Sequence, residues 1–149
     1  TGAAYLCDDA LREQVDRSPV VQAAFIDEVA RLLPPEPNVV RRTTGPTVLA
    51  DVVIPGGAEV FLSLLAANRD ARRFIQPQQL RLDRGRNEHL AFSDGPHKCI
   101  GARLGRSLAA VGLSCLAERS VRSAAPAADA DLAVVQGIAT PRRLMVTAP

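Results

Sequence analysis

Cys99 stands in a loop with Gly95 before it and Gly101 after it, and the chain runs from that loop straight into a stretch of helical pattern. These surroundings suit a metal-binding thiolate. Glycines let the backbone approach closely and turn its N–H groups toward sulfur, and a helix N-terminus favours negative charge. His97 invites two pairings with Cys99, as half of a zinc site or as the base of a nucleophile. Neither is complete, because two ligands two residues apart cannot fill a tetrahedron and no third group is spaced to help. A buried, inert loop thiol is the plain alternative for Cys99; Cys7 and Cys115, without such flanks, are read as packed or incidental thiols. Glu28 and Arg31 lie three apart on a helical pattern, hence on one face, and their plain reading is a surface ion pair of little worth.

The elements that must position these groups follow from periodicity. Asp8 to Leu33 is helical in pattern and is divided at Ser18-Pro19, where Ser18 can cap and Pro19 can take the first helical position. The second helix carries Val20, Val21, Ala24, Phe25, Val29 and Leu32 and stops at Pro34-Pro35. From Val39 to Leu65, β-branched residues broken by Gly45-Pro46 and Pro55-Gly56-Gly57 predict a short antiparallel sheet. The polar stretch from Gln76 to His89, broken by Pro77 and Gly85, predicts a long ordered meander. After the cysteine loop a helix is expected from about Ala102 to Glu118, with Leu104, Leu108, Val111, Leu113 and Leu116 on its buried side. Ser123 to Ala130 reads as a loop, and Leu132 to Val146 as a terminal hairpin whose arms are Val134-Val135 and Leu144-Met145-Val146. The expected fold class is α+β, mainly helical with a small antiparallel sheet and a C-terminal hairpin. Its parts are helices (1–35), sheet (36–65), meander (66–91), cysteine loop (92–101), helix (102–119) and loop with hairpin (120–149).

Composition narrows the classes of function. The 149 residues make one domain's worth of chain, and 47% apolar residues suffice for a core. A net charge of +2 gives no bulk reason to expect nucleic acid or a membrane surface, and 3% aromatics with no Trp leave few stacking platforms. No run approaches the roughly 20 apolar residues of a membrane span, and acidic Asp8 and Asp9 sit where a signal peptide would not have them. Three cysteines make no disulfide framework, so a cytoplasmic location is expected, with neither nucleic acid nor membrane as partner.

One thiolate leaves most of a metal's coordination sphere to something else, whereas a haem supplies four nitrogens itself and needs one axial protein ligand. At Phe92-Ser93-Asp94-Gly95-Pro96-His97-Lys98-Cys99-Ile100-Gly101 the sequence resembles the cytochrome P450 family of haem-thiolate monooxygenases, soluble bacterial type. That family's loop has the form Phe-x-x-Gly-x-His-x-Cys-x-Gly, and Phe92, Gly95, His97, Cys99 and Gly101 match it. Glu28-Val29-Ala30-Arg31 matches its Glu-x-x-Arg pair, and Ala66-Ala67-Asn68-Arg69-Asp70 a segment frequent in bacterial members. The resemblance implies haem as cofactor, Cys99 as axial ligand to the iron, Arg41 and His97 as propionate partners, and Glu28 with Arg31 as a buried pair behind the meander. It also implies that Lys98, Arg103, Arg106, Arg69, Arg72 and Arg73, otherwise a solvated basic face, meet a ferredoxin-type electron donor.

Departures from the pattern shape further expectations. Gln79 stands where alignment puts the arginine that completes a triad with the pair, which would leave Glu28 with Arg31 alone. Ser93 replaces a frequent glycine, and Gly105 a frequent alanine. The family's long central helix, with the acid and alcohol that deliver protons to oxygen, is absent, so the chain resembles the C-terminal, proximal portion of the fold. No catalytic residue can therefore be named in it. The expectation is a truncated monooxygenase, not competent alone, that self-associates or needs a missing N-terminal half. Leaving roughly 200 Å² of porphyrin in water would forfeit about 5 kcal/mol. The alternative class is a haem-free descendant acting as a non-redox enzyme or as a binding or assembly partner.

Overall fold

A computed structural model describes residues 5–6, 8–119, 121–123, 132–135, 138–141 and 146–147. Its helical part is built by two well-capped helices and a third that returns to them. Helix α1 (Asp9–Asp16) starts where the Asp8 side chain accepts the Leu11 N–H at 2.9 Å, and α2 (Pro19–Leu32) where the Ser18 hydroxyl accepts the Val21 N–H at 3.3 Å. Proline at the first position of α2 loses no hydrogen bond, since that N–H has no partner in any helix. The third long helix, with Gly101 as its N-cap, runs over Ala102–Glu118 and packs against α2.

Tyr5, Leu6, Val15, Phe25, Ile26, Val29, Leu113 and Val121 form the core between these helices. The expected apolar face of the last helix needs correction. Leu113 is buried and Leu116 packs against the core, but Leu104, Leu108 and Val111 are each more than 60% exposed. The side that packs against the core is lined instead by Ala109, Ala110 and Ala117 with Leu113 and Leu116, the alanines being small enough to allow close approach. Val20 on α2 is likewise exposed.

The expected sheet resolves into two nested two-stranded ones, both antiparallel. The outer pairs β1 (Asn38–Arg42) with β4 (Glu59–Ser63), and the inner pairs β2 (Thr47–Leu49) with β3 (Val52–Ile54). Ala50 and Asp51, both at positive φ, make the two-residue turn whose twist suits the inner hairpin. Sheet pairing ends at Ser63, two residues before the expected limit. There the Ser63 hydroxyl accepts the Ala66 N–H and starts a short helix, α3 (Leu64–Ala67). Making the helix from Ala102 to Glu118 α4, no helix or strand lies between α3 and the cysteine loop, so the meander is a run of turns.

The expected C-terminal hairpin is present, but its second arm comes earlier in the chain than Leu144-Met145-Val146. β6 (Leu132–Val135) pairs with β7 (Ile138–Pro141), and β8 (Val146–Thr147) pairs with β5 (Arg122–Ser123). Pro141 ends the second arm instead of breaking before it, because a terminal strand position tolerates the missing N–H. Leu144 and Met145, residues 124–130 and Cys7 lie outside the described residues.

Candidate functional site

Everything that faces the cysteine loop from behind is organised by two consecutive carboxylates on α2. Glu28 is fully buried and accepts five hydrogen bonds. They come from Arg31 (Nε to Oε2, 2.8 Å; NH2 to Oε1, 2.7 Å), the Arg81 N–H (3.0 Å), Arg84 Nε (2.6 Å) and Asn87 Nδ2 (3.0 Å). Burial pushes the Glu28 carboxyl up, but the donors from Arg31, Arg84 and the Arg81 backbone outweigh it and hold the group below its ordinary value. Arg31, equally buried, spends its remaining N–H groups on the carbonyls of Asn68, Pro77 and Gln79, and its guanidinium lies 5.1 Å from the centre of the Phe74 ring. A buried charge pair is tolerable only when its lone pairs and protons are all met, and here they are.

Arg84 corrects the expectation that Glu28 has one cationic partner. The second cation comes from Arg84, not from the position of Gln79, whose part is a backbone carbonyl offered to both Arg31 and Arg84. Arg84 also binds the carbonyls of Ile75 and Gln76, so a single guanidinium staples the meander to α2. Asn68 makes the link onward, since its side-chain oxygen accepts the Leu90 N–H at 2.7 Å two residues before Phe92.

Asp27, the neighbour of Glu28, holds the cysteine loop's flanks. It accepts from Arg106 Nε at 2.6 Å and faces His89 Nε2 at 3.4 Å. Burial raises its carboxyl pKa, but the bonds from His89 and Arg106 prevail and the group sits below its ordinary value. The Phe92 ring lies 5.8 Å from the His89 ring and 4.4 Å from the Arg106 guanidinium carbon.

The loop itself begins at Phe92, whose carbonyl accepts the Cys99 N–H at 2.8 Å. Ser93 has φ of 58° and Gly95 φ of 70°, both left-handed, and this curls the chain into one 3-10 turn, Gly95–His97. Cys99 follows, exposed, with its carbonyl accepting the Ala102 N–H at the start of α4. Gly101 has an ordinary φ, and an added Cβ would meet the Cys99 sulfur at 3.8 Å, an ordinary contact distance, so neither its backbone nor its described neighbours require a glycine there.

The structure thus brings Phe92, Gly95, His97, Cys99 and Gly101 into one loop. Arg41 comes from β1, exposed, and its guanidinium donates only to the carbonyl of Val40 among the bonds of the described residues. His97 is exposed at the end of the 3-10 turn. Of the basic residues expected to form one face, Arg69, Arg72, Arg73 and Arg106 are engaged by Leu32, Asp70, Glu88 and Asp27; Lys98 and Arg103 have no acidic partner among the described residues.

This donor set fits a haem better than a bare ion. It offers one exposed sulfur at a helix start, exposed apolar Ile100 and Leu104 beside it, and two cationic or hydrogen-bonding side chains, Arg41 and His97, with no acidic partner among the described residues. Among the described residues no group of three or more His, Cys, Asp or Glu is placed to hold a metal ion. No helix of the described residues is long and apolar enough to cross a membrane. Asp27, Arg84, Asn87 and His89 were not singled out by motif; their one sequence signal is that Asp27 adjoins Glu28 and His89 stands three residues before Phe92.

Comparison with known proteins agrees with this geometry. Residues 13–119 match the family model described as Cytochrome P450. Cytochrome P450 144 of Mycobacterium tuberculosis is 37% identical over 111 residues, 74% of this chain and 26% of that protein. Cytochrome P450 107B1 of Saccharopolyspora erythraea is 39% identical over 102 residues, 68% of this chain and 25% of that protein. The crystal structure of CYP109E1 from Bacillus megaterium in complex with testosterone superposes with a TM-score of 0.85 at 27% identity, covering 96% of this chain and 40% of its own. P450BioI, solved in complex with an acyl carrier protein bearing hexadec-9Z-enoic acid, gives 0.85 at 26% identity over 98% of this chain and 38% of its own. The chain therefore spans about a quarter of the length of the curated relatives it matches.

Proposed function

The chain belongs to the cytochrome P450 family, and from that membership we propose that it is the haem-holding, proximal portion of a haem-thiolate monooxygenase, a single cytochrome P450-like domain over residues 1–149. The observation that carries the reading is the setting of Cys99. The sulfur is exposed while its backbone N–H is tied to Phe92, and the loop's flanks are fixed to α2. Such a thiolate can meet an iron with little loss of conformational freedom on binding.

In this reading Cys99 would bind the haem iron, and Arg41 and His97 would hold the propionates. When bound, haem supplies the activation of dioxygen by which one oxygen atom enters an organic substrate. The chain's own residues would hold and orient it, with Ile100 and Leu104 offering apolar contact beside the sulfur. Lys98 and Arg103, without an acidic partner among the described residues, would meet an acidic electron donor of ferredoxin type.

A second reading, a binding or assembly partner without haem, is favoured by one feature. Leu104, Leu108 and Val111 recur at helical spacing on α4 beside Ile100, all exposed, and contiguous apolar rows of this kind mark interfaces. Haem titration followed by light scattering separates the two. The first reading expects a Soret band, a long-wavelength carbon monoxide complex on reduction, and loss of both in Cys99→Ala. A colourless, folded, self-associated chain supports the second and overturns the first.

A further inference from the structure

We propose that Asp27 is a positioning residue for the Cys99 loop, acting through His89, Arg106 and the ring of Phe92. The inference rests on the reading of Cys99 as an iron ligand for its use, but its geometry stands without any ligand. Glu28 binds the meander and leaves the loop untouched; Asp27, one residue earlier and so about 100° around the helix, points the opposite task at the loop. Its carboxylate is the shared acceptor of two elements whose side chains also flank the Phe92 ring. Arg106 belongs to α4, one turn after the loop, and His89 to the chain entering it.

The histidine's tautomer follows from its neighbours. His89 Nδ1 accepts the Ala91 N–H at 3.1 Å, so the ring proton resides on Nε2 and is directed at Asp27. The His89 side chain is almost wholly buried, so without the carboxylate that proton would have no acceptor. Arg106, 39% exposed, would be free to leave for solvent. Both walls of Phe92 would then loosen together. The Phe92 carbonyl is what receives the Cys99 N–H, so loosening the ring's setting loosens the residue that carries the sulfur. Gly105 adds a third contact surface, its Cα side lying close enough that an added Cβ would sit 3.8 Å from the ring.

Amide hydrogen exchange in the haem-free chain tests this directly, because the Cys99 N–H is itself the reporter. Asp27→Ala, which leaves no acceptor for His89 or Arg106, should speed exchange at Cys99 by roughly ten-fold or more, the scale of a lost hydrogen bond to a charged group, with amides of the β1–β4 pair unchanged. Asp27→Glu should restore part of the protection. Arg106→Gln, which removes the guanidinium bond to Asp27 from its exposed side, gives the same local signature if Asp27→Ala fails to fold. Unchanged exchange at Cys99, or a uniform rise throughout the chain, would overturn the positioning role. In haem-loaded protein the same variants should shift part of the ferrous carbon monoxide band to shorter wavelength. Failure of wild-type protein to take haem through Cys99 would sink the cofactor reading and leave the exchange result to decide the role of Asp27.

Discussion

Glu28 and Cys99 are held by the same scaffold in opposite conditions. Around Glu28 every charge is buried and met: one carboxylate takes five donors, and Arg31 gives all its N–H groups. Around Cys99 the backbone is tied down while the side chains stand open, with His97, Lys98, Ile100 and Leu104 all exposed. The difference separates holding from binding. Order is concentrated where nothing has to enter, and polar and apolar contacts are left open where a large ligand must come.

The strongest way to break this contrast is to remove its closed side. Glu28→Ala leaves Arg31 and Arg84 buried without their carboxylate, and losing one partner of a buried pair costs about 3–5 kcal/mol. Against a usual stability of about 5–15 kcal/mol, urea denaturation should show a chain at or beyond the edge of folding. Lys98→Ala on the open side should stay within about 0.5 kcal/mol of wild type. Equal effects at the two sites would erase the distinction.

Acid should undo the same network without mutation. Burial raises the carboxyls of Glu28 and Asp27, but their donors hold both below the ordinary values of 4.5 and 3.8. A carboxylate whose pKa is lower folded than unfolded contributes fully above the unfolded value and loses that contribution as pH falls through the folded one. Melting temperature should therefore hold steady from neutrality to about pH 5 and decline below it, as the unfolded chain takes up protons first. A decline confined to the range above pH ~5 would assign the dependence to other groups.

The loop's left-handed turn sharpens the comparison on a smaller scale. Gly95→Ala places a side chain at φ of 70° and should cost about 1–2 kcal/mol. Ser93→Gly, at φ of 58°, should do the reverse and stabilise by about 0.5–1 kcal/mol, glycine's added chain entropy taking back part of the relief. The smallest effect is expected in α4, where a Cβ at Gly112 meets nothing within 4 Å. Gly112→Ala should add somewhat under 1 kcal/mol, read as a rise in the thermal midpoint.

The limits of α1, α2 and α4 were legible because Asp8, Ser18-Pro19, Pro34-Pro35 and Gly101 act through local backbone chemistry. The buried side of α4 was not. Periodicity counts Leu104, Leu108 and Val111 as core, while the residues that pack against the core are Ala109, Ala110 and Ala117 with Leu113 and Leu116. The loop motif was visible as a string of residues, and Ser93 was visible as a departure, but its positive φ needed coordinates. Arg84 was missed for a different reason. A turn-rich meander has no period, so which of its arginines reaches Glu28 depends on a path that no spacing encodes. Asp27, His89 and Arg106 meet across separations of 62 and 79 residues, and only folding brings them together.

The most direct test of the central claim is X-ray absorption at the iron edge of the haem-reconstituted chain. The account predicts a sulfur scatterer bonded to iron in wild type and in Cys115→Ala, and its loss in Cys99→Ala. Iron with no sulfur neighbour in the wild-type chain, or sulfur retained when Cys99 is gone, would contradict it.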